Sequence, residues 1–357
     1  MMRIMVTGAA GFIGSTVVDL LQADDHDVVP VDLLLPAAHD RRPGWAAENL
    51  VVADVRDESA MTRLLSGVDL VCHQAAMVGV GKDTHDAPEY VSHNLFGTST
   101  LLSAMTRARV GRLVLASSMV VYGDGAYRCA EHDRVRPLPR RQKDLDRGLF
   151  DPVCPVCAGP LDWQLVGESA VLDPRTTYAV TKLGQEQLAG AWAAQSGGSV
   201  ISLRYHNVYG PRMPRDTPYA GVASMFRSSL MAGRSPVVFE DGRQLRDFVH
   251  VSDVAAANVS ALNHLARNGS TSPGHTAYNI ASGEPRPIID LAARLAQTMG
   301  GPAPQVRGGG RPGDVRHIVA DPALADSELG FRAAVTFDAG VAQFATDPMR
   351  DGSRSSG

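Results

Sequence analysis

Tyr178 and Lys182 stand four residues apart in a stretch that reads as the start of a helix, so both side chains face the same way. Lysine occurs at only three positions (82, 143 and 182) against eight tyrosines, and chance would place such a pair in this chain about 0.07 times. The pair has a definite chemical use. A phenol near pKa 10 is a poor base at neutral pH, but an ammonium group and a nicotinamide cation beside it stabilise the phenolate. Tyr178 can then take a proton from a hydroxyl while hydride leaves the same carbon. Ser118, in Ala-Ser-Ser-Met-Val-Val-Tyr-Gly, lies just past a strand-like run and can orient the substrate oxygen.

Hydride needs an acceptor, and the chain supplies a cradle for one. Gly8, Gly11 and Gly14 form a Gly-x-x-Gly-x-x-Gly run, which lets backbone N–H groups approach a pyrophosphate and lets a helix pack close to its strand. That spacing alone arises by chance about 0.3 times in such a chain. Its placement directly between the first strand and the first helix gives it weight. Asp32 ends the next strand, where a carboxylate accepts from the adenosine ribose hydroxyls and repels a 2′-phosphate, favouring NAD over NADP. Asp54, after the third strand, is placed to reach adenine.

These residues need a scaffold. Strand-like runs at 3–7, 27–32, 49–53, 68–73 and 112–117 alternate with helical stretches at 14–22, 59–65, 90–109 and 178–195. That rhythm predicts an α/β fold, a doubly wound parallel sheet covered on both faces with ligands at the carboxyl ends of its strands. A strand at 200–205 resumes the sheet, and 218–233, 237–240, 254–268 and 288–299 mix helices with short strands. The Ser-rich tail 349–357 reads as disordered. With 44% hydrophobic and 20% charged residues the chain is globular, and no apolar run is long enough for a membrane span. A net charge of −4 gives no general reason to bind nucleic acid. Four cysteines without secretory context and no export signal before the first strand point to the cytoplasm.

Between 123 and 175 the alternation breaks. Cys129-Ala-Glu-His132 and Cys154-Pro-Val-Cys157 put C-x-x-H and C-x-x-C pairs in this stretch, a ligand set for tetrahedral zinc. Four protein ligands leave the metal no open position, so the expected role is structural, ordering a polar segment that burial cannot order. Cys72, in a strand, reads as a small buried hydrophobe. A basic run, Arg134, Arg136, Arg140, Arg141 and Lys143, raises the alternative of a zinc-ribbon interaction module, which Glu131, Asp133, Asp144 and Asp146 oppose.

From Arg3 to about Asp338 the chain resembles the extended short-chain dehydrogenase/reductase superfamily and its NAD-dependent nucleotide-sugar epimerase/dehydratase family. The resemblance rests on Thr-Gly-Ala-Ala-Gly-Phe-Ile-Gly from Thr7, His73-Gln-Ala-Ala, Asn94-Leu-Phe-Gly-Thr, Ser117-Ser-Met-Val-Val-Tyr-Gly and Tyr178-Ala-Val-Thr-Lys. Further on it rests on Arg204-Tyr-His-Asn-Val-Tyr-Gly-Pro, Arg246-Asp-Phe-Val-His-Val-Ser-Asp-Val and Arg311-Pro-Gly-Asp. It implies a Rossmann-type domain over 1–205, interrupted by the zinc-binding insertion 124–175. A smaller discontinuous substrate-binding region follows over 206–345, with 245–268 returning to the first domain. It implies Ser118, Tyr178 and Lys182 as catalytic residues, with Tyr178 and Lys182 also touching the cofactor. Phe12, Ile13, Val55, Ala75, Ala76 and Asn94 complete the cofactor set. Ser118, Asn207, Arg246, Arg311 and Asp314 are the implied substrate contacts, and arginine's fixed fork of donors suits a diphosphate. The helices 90–109 and 178–195 match those through which the family dimerises.

Family dehydratases carry an Asp-Glu pair directly after the catalytic hydroxyl residue, and decarboxylases a Glu. Here Met119 and Val120 follow Ser118, and neither moves a proton. Chemistry at one carbon remains, which is that of an NAD-dependent nucleotide-sugar 4-epimerase working through a transient 4-keto sugar. A branch acting on dTDP-L-rhamnose carries a similar Cys/His segment, so a dTDP- or UDP-sugar is the expected partner. A one-way 4-ketoreductase is the near alternative, and Asp32 argues against the NADPH it would prefer. A non-catalytic NAD(H) sensor is a third reading, opposed by the intact Ser118, Tyr178 and Lys182.

Overall fold

The computed structural model describes residues 1–36, 38–39, 42–79, 84–215, 221–268, 273–310 and 314–350. Seven parallel strands form the central sheet: β1 (Arg3–Thr7), β2 (Asp27–Asp32), β3 (Val51–Val52), β4 (Leu70–His73), β5 (Arg112–Ser118), β6 (Ser199–Tyr205) and β7 (Gly274–Ile280). Their order across the sheet is β7-β6-β5-β4-β1-β2-β3, so the chain reverses direction between β1 and β4. A crevice opens at that reversal, at the carboxyl ends of the strands. The third strand is shorter than the run at 49–53 suggests. β2 tolerates Pro30, which has no N–H, because β3 pairs only with Val31 and Asp32.

Alternate residues of each strand enter opposite cores, because successive side chains point to opposite faces. Ile4, Val6, Leu70, Cys72, Val114 and Ile201 pack with α1 (Phe12–Ala23) and α5 (Val251–Asn268). Met5, Val31, Val71, Leu113 and Leu115 pack on the other face with α2 (Glu58–Leu64), α3 (Gly97–Ala108) and α4 (Thr177–Ser196). Cys72 is fully buried, and burial pushes its thiol up to about 12. The expected single helix over 90–109 is divided, with a π-helical turn at Val91–Phe96 preceding α3. No helix among the described residues is long and apolar enough to cross a membrane.

Beyond β6, the strands Asn207–Tyr209, Leu245–His250 and Pro285–Pro287 form a small sheet. A separate core of Tyr209, Phe226, Phe248, Leu291, Leu295, Phe337 and Phe344 supports it. The end of the chain is tied down further than the tail reading suggests: Met349 packs on this core and Arg350 N donates to Met213 O at 3.1 Å. Residues 351–357 lie outside the described residues.

Within the stretch between β5 and α4, Asp133–Val135, Ala126–Cys129 and Asp162–Gln164 make a three-stranded antiparallel sheet. Its two ends meet: Asp173 N donates to Val121 O at 2.8 Å, and Gly123 packs against the Asp173 carbonyl with no room for a side chain.

Candidate active site and metal centre

The glycine run makes the turn between β1 and α1. Gly8 has φ +67°, and a Cβ there would lie 2.7 Å from the amide nitrogen of Ala75. A Cβ on Gly14 would overlap the Gly8 carbonyl oxygen. Gly11 caps α1 without a side-chain acceptor, so the first-turn amides around Phe12 and Ile13 present the positive helix end to the crevice. Asp32 closes the turn from the side, accepting from Ala10 N at 3.0 Å and Leu34 N at 2.8 Å. The cradle fits a dinucleotide pyrophosphate with a ribose beside Asp32.

The remaining cofactor-side residues divide into two kinds. Val55 is buried against Gly97, and Ala75 N donates to Thr7 Oγ1 at 3.2 Å, with Ala76 next in the same loop. Asp54 and Asn94 are engaged with protein. Arg56 donates to the Asp54 carboxylate from Nη2 at 2.6 Å and Nε at 3.0 Å, so the expected adenine contact shares its acceptor with a guanidinium. Asn94 sits in the π-helical turn, fully buried. Its side-chain oxygen accepts from Met77 N at 2.7 Å, while its amide nitrogen donates to Met77 O at 3.0 Å and Thr181 Oγ1 at 2.9 Å. It ties the loop after β4 to the helix turn beside Lys182, a bracket rather than an open donor.

Ser118 ends β5 and Tyr178 opens α4, whose N-cap Thr176 accepts from Ala179 N at 3.2 Å. Tyr178 stands beside Ser118, whose side chain acts to hold the phenol pKa down. Lys182 is 3% exposed, donates from Nζ to Ala116 O at 2.9 Å and lies 6.0 Å from the Tyr178 ring centre. Burial pushes Tyr178 up to about 12, and the neighbouring Ser118 only partly offsets it. Burial also pulls Lys182 down to about 7, against the pull of Glu186. Among the protein's own groups, desolvation therefore outweighs the stabilisation of phenolate expected from Lys182.

One turn beyond Lys182, on the same helical face, stands Glu186, which the sequence reading passed over. The stripe 178, 182, 186 was its available signal. Glu186 accepts from Ser117 Oγ, from Arg204 Nε at 3.0 Å and from Arg204 Nη2 at 2.7 Å. Arg204 reaches on to the Tyr122 hydroxyl at 2.9 Å and the Glu168 carbonyl at 3.0 Å. A buried ion pair thus locks α4 to β5 and β6 beneath the hydroxyl pair.

Of the substrate-side residues, Asn207 begins a strand of the small sheet, and its buried Oδ1 has no protein partner. Arg246 behaves differently from a free diphosphate fork: its guanidinium donates to the carbonyls of Val315 (2.6 Å), Leu245 (2.8 Å) and Arg316 (3.0 Å). Burial lowers it to about 10, with Asp314 acting the other way. Neither Asp247 nor Asp253 pairs with it, since Asp247 accepts from Ser282 and Gly283 and Asp253 from Ala334 and Val335. Asp314 directly precedes the braced carbonyls of Val315 and Arg316, and Arg311 lies outside the described residues.

Cys129, His132, Cys154 and Cys157 converge, their ligand atoms all within 4.8 Å of one another. The Cys129 and Cys157 sulfurs are 3.7 Å apart, and His132 Nδ1 is 3.6 Å from Cys129 and 3.7 Å from Cys154. A tetrahedron with Zn–S of about 2.3 Å and Zn–N of about 2.0–2.1 Å has S···S edges of about 3.8 Å and S···N edges of about 3.5 Å. Val156 N points to Cys154 Sγ at 3.5 Å, a backbone donor suited to a thiolate.

A glycine-turned βαβ start, an acid closing β2 and a Ser–Tyr–Lys face at the carboxyl end of the sheet define the short-chain dehydrogenase/reductase class. Within it, the chain belongs to the NAD dependent epimerase/dehydratase family, whose profile matches residues 4–142 and 159–281. The unmatched gap holds Cys154 and Cys157. The chain is 33% identical to a dTDP-L-rhamnose 4-epimerase of Burkholderia thailandensis over 354 residues, 96% of this chain and 94% of that protein. It also resembles the Thermotoga maritima UDP-glucose 4-epimerase with UDP-glucose, at TM-score 0.77 and 26% identity, covering 96% and 97% of the two chains. The Thermus thermophilus UDP-glucose 4-epimerase complex with NAD matches at TM-score 0.73 and 27% identity, covering 96% and 98%.

Proposed function

We propose that this protein is an NAD-dependent nucleotide-diphosphate-sugar 4-epimerase acting on dTDP-L-rhamnose or a related dTDP- or UDP-sugar. The observation that carries the reading is the placement of Tyr178 beside Ser118 and 6.0 Å, ring centre to Nζ, from Lys182, with Met119 directly after Ser118 where a dehydratase needs an acid. NAD held by the glycine cradle and Asp32 would supply a reversible hydride acceptor and, in its oxidised form, positive charge that favours phenolate. Ser118 holds the reacting oxygen, and Tyr178 takes its proton at the phenol oxygen and gives it back after the keto sugar has turned over. Lys182 anchors the face through Ala116 and supplies a proton donor next to the phenol. The glycine cradle and Asp32 hold the dinucleotide. Asn207 Oδ1, buried and unpartnered, suits a substrate hydroxyl or ring N–H. Asp314 faces the nucleotide, and Arg246 acts chiefly by fixing the 314–316 backbone.

The Cys/His tetrad holds a structural zinc ion in this reading, supported by its edge lengths. Val91, Phe96, Val180 and Leu188 are 45%, 55%, 51% and 37% exposed on the π-helical turn before α3 and on α4, which supports a homodimer through these helices. We place the enzyme in the cytoplasm, since cysteines joined by no disulfide fit a reducing compartment. Proton NMR in heavy water with a panel of dTDP- and UDP-sugars tests the activity. Inversion at carbon 4 without solvent deuterium in the sugar is expected; deuterium at carbon 3 or 5, or a keto product, would refute it.

A further inference from the structure

The loop 133–153 lies between the two halves of the Cys/His tetrad, so a metal there would close it. Two residues of this loop reach out of the insertion to the backbone that begins at Asp314. Arg140 Nη2 donates to the Asp314 carbonyl at 2.5 Å, and Arg140 Nη1 pairs with Glu240 Oε1 at 2.7 Å. Asp151 accepts from Arg316 Nε at 2.7 Å, and Arg316 continues to Glu240 at 2.9 Å and to Asp241 at 2.6 Å.

Three members of this chain of ions, Arg140, Glu240 and Arg316, are buried, at 8%, 2% and 3% side-chain exposure. Glu240 also holds the left-handed φ of +55°, a conformation that persists only where surroundings enforce it. Around them the insertion adds further grips on the same segment: Val166 N donates to Val319 O at 2.8 Å, Asp321 N donates to Val166 O at 3.0 Å, and the Tyr127 hydroxyl accepts from His317 N at 3.2 Å. From the opposite side Arg246 holds the Val315 and Arg316 carbonyls. Backbone 314–320 is therefore gripped on one side by the insertion and on the other by the small sheet.

We propose that the metal-closed loop 133–153 is a latch, with Arg140 and Asp151 as positioning residues that fix the 314–317 segment and thereby set affinity for the nucleotide diphosphate. Closing a loop at both ends removes the freedom its latch side chains would otherwise lose on docking, so metal occupancy and nucleotide affinity are linked. The proposal rests on the nucleotide-sugar reading of the site. Neither residue touches the Ser118–Tyr178 face or the glycine cradle, so the latch acts on binding and leaves the chemical step alone.

The test is calorimetric titration of UDP and dTDP into the zinc-loaded protein and its variants, alongside steady-state epimerisation. Arg140→Gln is expected to raise Kd for the preferred nucleotide and KM for its sugar together by about ten-fold. It should leave kcat within about two-fold and bound NAD unchanged, and Arg140→Lys should recover most of the affinity. Chelation of the wild-type protein should reproduce the loss, and added zinc should reverse it. Unchanged nucleotide affinity in Arg140→Gln or in chelated protein, or a fall in kcat with KM unaltered, would overturn the latch. If Arg140→Gln does not fold, Asp151→Asn, at a carboxylate 70% exposed, is held to the same criteria. Because nucleotide binding is read without turnover, a protein that binds UDP or dTDP but inverts no sugar would fail the epimerase reading and leave the latch standing.

Discussion

Lys182 Nζ donates to the carbonyl of Ala116 at 2.9 Å, so α4 is pinned to β5 two residues before Ser118. That bond sets the distance across which Ser118 and Tyr178 meet. It also explains why an amine buried to 3% exposure is tolerated, since its hydrogen bond replaces part of the hydration it loses.

Tyr178→Phe keeps the ring in its contact with Tyr90, 6.1 Å between centres, and removes only the proton carrier. Its kcat should fall by about 10²–10⁴-fold with NAD still bound, as measured by NMR turnover and by cofactor released on denaturation. Lys182→Met should move the acidic limb of kcat/KM to higher pH, because a phenol deprived of nearby positive charge ionises later. A limb that stays in place would remove Lys182 from the proton chemistry.

His73 is buried between Thr7 and Thr98, and burial pulls its imidazole down to about 3, with Lys182 adding to the effect. The folded value is depressed below the unfolded one, near 6.5. Its contribution is therefore complete above pH 6.5 and is lost as pH falls toward 3. Between pH 6.5 and 5 the loss should be about 2 kcal/mol, at about 1.4 kcal/mol per pH unit. Urea midpoints of wild type and His73→Asn should show the wild type losing more stability over that interval.

Elemental analysis of gently purified protein should find about one zinc per chain, and Cys154→Ser should lose most of it. Trypsin provides a second readout. Arg134, Arg136, Arg141 and Lys143 lie between the two ligand pairs, so chelation should open that stretch to cleavage while NAD stays bound. Equal protection with and without chelator would remove the metal from the account.

Gly14→Ala should empty the cofactor site. The new methyl group meets the Gly8 carbonyl, a backbone atom with no freedom to swing aside. The wild type is expected to carry NAD through purification; the variant should lack that absorbance, and added NAD should bind at least about ten-fold more weakly.

Glu186→Gln leaves Arg204 buried opposite a neutral amide. Breaking a buried pair from one side costs about 3–5 kcal/mol. A urea titration should show that loss, and a variant as stable as the wild type would mean that Tyr122 and the Glu168 carbonyl suffice to hold the guanidinium.

The parts of the molecule that were legible in the sequence are those written in local spacing. Gly8, Gly11 and Gly14 mark a turn because each is needed within one strand-to-helix passage, and Tyr178 and Lys182 share a helical face. Cys129, His132, Cys154 and Cys157 announce themselves because ligand pairs sit at short fixed spacings. What stayed hidden depends on partners far apart in the chain. Asn94 is a bracket because Met77 and Thr181 converge on it, and Arg246 is a brace because carbonyls of 315 and 316 pass in front of it. The divided helix at Val91–Phe96 escaped for the same reason: an apolar stripe cannot reveal an extra residue wound into one turn.

The meeting of Asp173 with Val121 and Gly123 gives the insertion a single doorway, with entrance and exit side by side. Whatever is threaded through that doorway, the span from Ser118 to Tyr178 is closed off by the threshold itself. The parts of the insertion that touch neither Arg204 nor the 314–320 backbone are thus free to change in length and content without altering the spacing of Ser118 and Tyr178. A scaffold of this kind can exchange its nucleotide-side attachments while keeping one chemical core.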